Sequence, residues 1–131
     1  MAKAPKTIML VDDDADVVEA MRLVLESNGY KVEAAYNGDE CLAKVKSVKP
    51  NLIVLDVMMT KETEGFHVAY ALRKDASTAK TPILMLTGIG ERTGMKFSPK
   101  EDEDYLPVDE FAEKPLAPEE LLKRVKKLLK E

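Results

Sequence analysis

Leu52-Ile53-Val54-Leu55-Asp56 runs four aliphatic side chains into a carboxylate. Such a run offers no wet face, so a strand made from it must be covered on both sides of its sheet. An acid that closes the run then lies where a buried strand emerges at the sheet edge. The pattern recurs on either side of this stretch. Upstream, the apolar run Thr7–Val11 leads into Asp12-Asp13-Asp14, and downstream, Pro82–Leu86 ends at Thr87.

Helical signals fill the intervals. Asp14 is placed to cap a helix whose Val17, Met21, Val24 and Leu25 share one face, and Asn28-Gly29 stops it. A weaker strand, Lys31–Ala35, follows. Gly38–Val48 reads as a helix with Cys41, Leu42, Val45 and Val48 on its apolar side, ended by Lys49-Pro50. A loop to Gly65 leads into a short helix, Phe66–Asp75. The stretch Gly88–Pro107 is irregular, because Gly88, Gly90, Gly94 and Pro99 break helical periodicity. A short fifth strand is expected near Glu110–Glu113. Pro118–Lys130 is the clearest helix, with Leu121, Leu122, Val125, Leu128 and Leu129 at helical spacing.

Five strands alternating with helices predict an α/β fold, a three-layer doubly wound parallel sheet. The first, third and fourth strands are continuous apolar runs and belong inside the sheet. The second and fifth are not, and belong at its edges. The flavodoxin-like order 2-1-3-4-5 meets this requirement and puts a crevice at the carboxyl ends of strands one and three. The expected organisation is an N-terminal tail, 1–6, and one domain, 7–131, with an irregular fourth-helix region.

Composition narrows the function. The chain has 131 residues, 45% hydrophobic and 34% charged, a balance that argues against global disorder. Apolar runs stop near five residues, far short of the roughly 20 that span a bilayer. A net charge of -4 gives no general attraction to nucleic acid or anionic lipid. One cysteine, Cys41, forms no internal disulfide and fits a small core residue, so the expected compartment is the reducing cytoplasm. One histidine, His67, excludes a multi-histidine metal site and is expected on the surface. The acidic run Glu101–Asp104 is expected to be a solvated loop.

At the predicted crevice several polar residues converge. Strand one delivers Asp12 and Asp13, strand three Asp56, strand four Thr87, and strand five Lys114-Pro115. Each has an ordinary reading alone, as a helix cap, a strand end or a loop dipeptide. Together they put three carboxylates at close range, where mutual repulsion calls for a counter-charge. A divalent cation and the Lys114 ammonium would supply it, and an all-oxygen donor set with an open position suits Mg²⁺.

In Ile8-Met9-Leu10-Val11-Asp12-Asp13-Asp14, Leu52-Ile53-Val54-Leu55-Asp56, Leu86-Thr87-Gly88 and Glu113-Lys114-Pro115, the chain resembles the receiver domain of two-component response regulators, over nearly its whole length and in a chemotaxis-regulator-like, single-domain form. The resemblance implies that Asp56 is the phosphoacceptor. It implies that Asp13 ligates Mg²⁺ directly, that Asp12 helps to hold the metal, and that Met58 ligates through its backbone carbonyl. Lys114 and Thr87 would bind the phosphoryl oxygens. Thr87 and Phe111 match the switch positions. The implied function is a phosphorylation-dependent switch in a phosphorelay, not an enzyme acting on other molecules. The implied partners are a histidine kinase or phosphotransfer protein and a downstream protein target, with no direct nucleic-acid or membrane binding and a monomeric state. A stand-alone receiver is expected, because the chain stops after the last helix.

Two stretches depart from the family pattern. Met59-Thr60-Lys61-Glu62-Thr63-Glu64-Gly65 is one residue longer than usual and lacks the proline, and the interval from Thr87 to Lys114 is also long. Other functions fit less well. A degenerate receiver that binds partners without phosphorylation would not need the full polar set. An aspartate-nucleophile phosphatase of the haloacid dehalogenase type would carry a second Asp where Met58 stands. A flavodoxin relative would carry a Gly/Ser/Thr-rich first loop, not Asp12-Asp13-Asp14.

Overall fold

The computed structural model describes residues 6–56, 64–87, 108–113 and 116–130. Met58, Lys114, the interval Gly88–Pro107, which was expected to be irregular, and most of the N-terminal tail lie outside the described residues. The elements are β1 (Thr7–Val11), α1 (Ala15–Ser27), β2 (Lys31–Ala35), α2 (Gly38–Val48), β3 (Leu52–Asp56), α3 (Glu64–Lys74), β4 (Ile83–Thr87), β5 (Glu110–Glu113) and α4 (Pro118–Leu129).

The strands form one parallel sheet in the order β2-β1-β3-β4-β5. The alternation of the strands splits the core into two layers. Ile8, Leu10, Leu52, Val54, Leu84 and Leu86 face Val18 and Leu25 of α1 and Leu121, Val125 and Leu129 of α4. Met9, Val11, Ile53, Leu55, Ile83 and Met85 face Cys41 and Val45 of α2 and Val68, Ala69 and Leu72 of α3. β3 is buried along its whole length, as its unbroken apolar run requires. Lys31 of β2 is exposed, in keeping with an edge position.

Local signals account for the helix ends. The Asp14 side chain accepts hydrogen bonds from the amides of Asp16 and Val17 and starts α1. At the other end Gly29 has φ 91°, a left-handed geometry that glycine adopts without a Cβ penalty. Asn37 caps α2 by accepting from the Glu40 amide. Glu40 reaches back to accept from the Tyr36 amide at 2.7 Å and pairs with Lys44 at 3.0 Å, while Lys44 donates to the Ala34 carbonyl. Acids occupy the first turns of α1, α2 and α4, and bases the last turns of α2, α3 and α4.

Two expectations need adjustment. The apolar face of α1 centres on buried Val18 and Leu25, with Met21 and Val24 at its flanks, while Val17 is only half-buried. α3 runs Glu64–Lys74 and not Phe66–Asp75; the Asp75 carboxylate is drawn into a turn by the Ser77 amide and hydroxyl. Lys49, which ends α2, takes a left-handed conformation at φ 51° despite preceding Pro50. Its amide still bonds the Val45 carbonyl at 2.9 Å.

Candidate phosphoacceptor and metal site

Strand register brings the acids together. β1 and β3 pair through Val11 opposite Leu55. One step further along each strand come Asp12 and Asp56. Because side chains alternate, Asp12 and Asp56 continue the same row as Leu10 and Val54. β3 and β4 pair with Asp56 opposite Leu86, and β4 and β5 with Thr87 opposite Glu113. The polar ends of the three central strands therefore lie side by side at the carboxyl edge of the sheet.

Carboxylate oxygens of Asp12, Asp13 and Asp56 lie within 4.8 Å of one another. Asp12 and Asp56 are buried, at 0% and 3% exposure, and Asp13 is exposed. Asp12 is fixed from both ends. Its amide donates to the Ala35 carbonyl of β2 at 3.1 Å, and its Oδ1 accepts from the Asp14 amide at 2.9 Å. The same turn that builds the acid pair thus starts α1. Like charges this close raise the free energy of the cluster, and most so where burial excludes water. A small divalent cation relieves that repulsion. The donor set holds only hard oxygens, has no nitrogen or sulfur, and has one exposed member through which a cation can enter. These residues fit Mg²⁺.

The other expected site residues are placed less completely. Thr87 ends β4 and Phe111 lies in β5. Lys114 follows Glu113 directly in the chain but, like Met58, lies outside the described residues. His67 is exposed, and Cys41 is a buried core residue whose Sγ lies 3.9 Å from Met9 Sδ. The sequence reading missed a polar cluster at the opposite edge of the sheet, where Arg73 of α3 meets Asp109 just before β5. The two are 36 residues apart, and neither belongs to a local motif that would pair them.

Known proteins carry the same constellation of fold and sequence. Residues 8–126 match the response regulator receiver domain family. A putative response regulator from Chloroflexus aurantiacus is 33% identical, with a TM-score of 0.82, covering 97% of this chain and 99% of that one. The chemotaxis response regulator CheY4 of Vibrio cholerae is 31% identical, with a TM-score of 0.81, covering 95% and 98% of the two chains. The phosphate regulon transcriptional regulatory protein PhoB of Pseudomonas aeruginosa is 37% identical over 125 residues, which is 95% of this chain and 52% of that protein. The chain spans about half the length of the curated relatives it matches. Among the described residues no helix is long and apolar enough to cross a membrane. With the parallel sheet, the acidic cluster at its carboxyl edge and a family match across nearly the whole chain, this protein belongs to the response regulator receiver domains of two-component phosphorelay signalling.

Proposed function

We propose that Asp56 accepts a phosphoryl group from the phosphohistidine of a histidine kinase or phosphotransfer protein. The observation that carries this reading is the convergence of Asp12, Asp13 and Asp56 within 4.8 Å at the carboxyl edge of the sheet. A carboxylate oxygen of Asp56 attacks phosphorus in line. The phosphorus–nitrogen bond breaks, and the imidazole leaves with the electron pair. Asp12, Asp13, Asp56 and the Met58 carbonyl would hold Mg²⁺, which when bound neutralises charge on the phosphoryl oxygens. The Lys114 ammonium and the Thr87 hydroxyl bind the remaining oxygens. Phosphoryl transfer asks mainly for positioning and charge neutralisation, which this set of groups supplies.

The acyl phosphate on Asp56 then acts as a switch read through Thr87 and Phe111. The chain catalyses only its own phosphorylation and dephosphorylation. Its working compartment is the cytoplasm, where its one cysteine stays reduced. The receiver, 7–131, works as a monomer whose output is made through a protein target. A net charge of -4 offers nucleic acid no general attraction and supports that output.

The test is intact mass after incubation with a small phosphodonor and Mg²⁺. One phosphoryl mass should appear, vanish with a chelator, and be absent in Asp56→Asn. Equal labelling of Asp56→Asn would exclude Asp56 as the acceptor.

A further inference from the structure

β5 is the weakest strand of the sheet on its own terms. It has four residues, Glu110-Phe-Ala-Glu, and among the described residues its one neighbouring strand is β4. A strand with so short an apolar content does not fix its own register. Two charged groups at its start hold it, and they hold it to different things. The Glu110 carboxylate binds Arg124 and Lys127 of α4. That clip ties β5 to a helix. Asp109, one residue earlier, binds the neighbouring strand. Its amide donates to the Ile83 carbonyl at 3.0 Å, and its Oδ2 accepts from the Ile83 amide at 2.8 Å. The same oxygen accepts from Arg73 Nη2 at 2.7 Å.

Arg73 is itself held from several sides. Its Nη1 donates to the carbonyls of Thr81 at 2.6 Å, Ala79 at 3.2 Å and Thr78 at 3.4 Å. One guanidinium thus joins the end of α3, the turn leading to β4, and the first residue before β5. A planar fork with fixed donor directions suits this task, whereas a flexible ammonium does not.

We propose that Asp109, clamped by Arg73, is a positioning residue for the phosphoryl chemistry. It locks β5 in register with β4, and so sets where Lys114, the residue after Glu113, meets the phosphoryl group. This rests on the reading of Asp56 and Lys114 given above. Asp109 acts from the opposite edge of the sheet, four residues before Glu113 and so about 13 Å along the strand from it at roughly 3.3 Å per residue. A one-residue slip would turn every β5 side chain to the wrong face and carry Lys114 out of reach.

The experiment uses the full chain and three variants, Asp109→Ala, Asp109→Asn and Arg73→Lys. Three quantities are read: amide hydrogen exchange, the labelling rate with a small phosphodonor, and Mg²⁺ affinity. Asp109→Ala should speed exchange about tenfold or more across Met85–Thr87 and Phe111–Glu113, while β1 and β3 keep the parent rates. Its labelling should slow by about tenfold to a hundredfold, the cost expected of misplacing a reacting group by an ångström or so. Its Mg²⁺ affinity should stay at the parent value, because the metal's carboxylates sit on β1 and β3. Asp109→Asn keeps one carbonyl oxygen for both donors and should restore exchange and labelling. Arg73→Lys should fall between.

Parent-like exchange at β5 in Asp109→Ala would overturn the proposal. So would faster exchange spread evenly over the sheet, which marks an ordinary stabilising ion pair, or an Asn variant as poor as the Ala variant. A parent protein that gains no phosphoryl mass would instead defeat the reading of Asp56, and with it the role of Asp109 in that chemistry. The exchange pattern would still report separately whether Asp109 sets the register.

Discussion

Asp14 does a structural task beside two acids proposed to hold a metal. Its Oδ1 accepts from the Asp16 amide at 3.0 Å and the Val17 amide at 3.3 Å, closing the first turn of α1. Asp14→Ala should therefore lower unfolding stability by about 1 kcal/mol, read from a urea midpoint. Labelling of Asp56 should be retained, because the Asp12–Asp14 contact uses the Asp14 backbone amide. Cys41 makes the contrasting case of a reactive group kept inert. Burial pushes its thiol up to about 12, and the charge of Glu40 adds to the shift. The thiolate is the reactive form, so native protein should resist thiol reagents at neutral pH and react fully only when unfolded. Rapid labelling of folded protein, followed by mass, would contradict this burial. Asp12 and Asp56 were legible in the sequence because each closes a buried apolar run. Their convergence with Asp13 was legible too, from the expected strand order, and the register of β1 against β3 delivers it.

At the scale of elements, the β2–α2 junction carries a prediction for pH. The Tyr36 amide, then the Lys44 ammonium, hold the Glu40 carboxyl below its ordinary value of 4.5. Its depressed folded value means that the unfolded chain takes up the proton first as pH falls. The stabilisation is therefore whole above about pH 4.5 and is lost as pH drops through the lower folded value. Glu40→Gln should flatten this part of the acid limb in urea midpoints measured from neutral pH downward. Asp75 is lowered by the Ser77 amide and hydroxyl in the same sense and should add to the same limb. An unchanged limb in Glu40→Gln would show that the junction contributes nothing to acid stability. β1, β3 and β4 were readable because unbroken apolar runs leave one burial solution. The end of α3 was not. Its closing turn depends on Asp75 preferring Ser77 to the helix, and on Arg73 binding three carbonyls of the next turn. Such long-range polar pairs leave no period in the sequence.

For the whole molecule, Mg²⁺ held by Asp12, Asp13 and Asp56, as proposed, would link folding to metal. A cation that binds only the folded chain stabilises it by about 2.7 kcal/mol at a hundredfold excess over its Kd. Thermal unfolding in Mg²⁺ should thus occur at higher temperature than in chelator. Asp13→Ala should lose most of that difference, and its metal-free form should be more stable than the parent, because one repelling charge has gone. A full Mg²⁺ response in Asp13→Ala would place the ion elsewhere. The helices carry a further consequence. In a parallel sheet each helix runs back against the strands, so the acidic first turns join the carboxylate rim and the basic last turns gather at the far edge. Among the described residues, these helix-end charges form a dipole laid along the strands, superposed on the chain's net charge of -4. A cationic partner surface exerts a torque on that dipole before contact and rotates the acidic rim toward itself. The association rate, followed by stopped flow, should fall as salt screens the field.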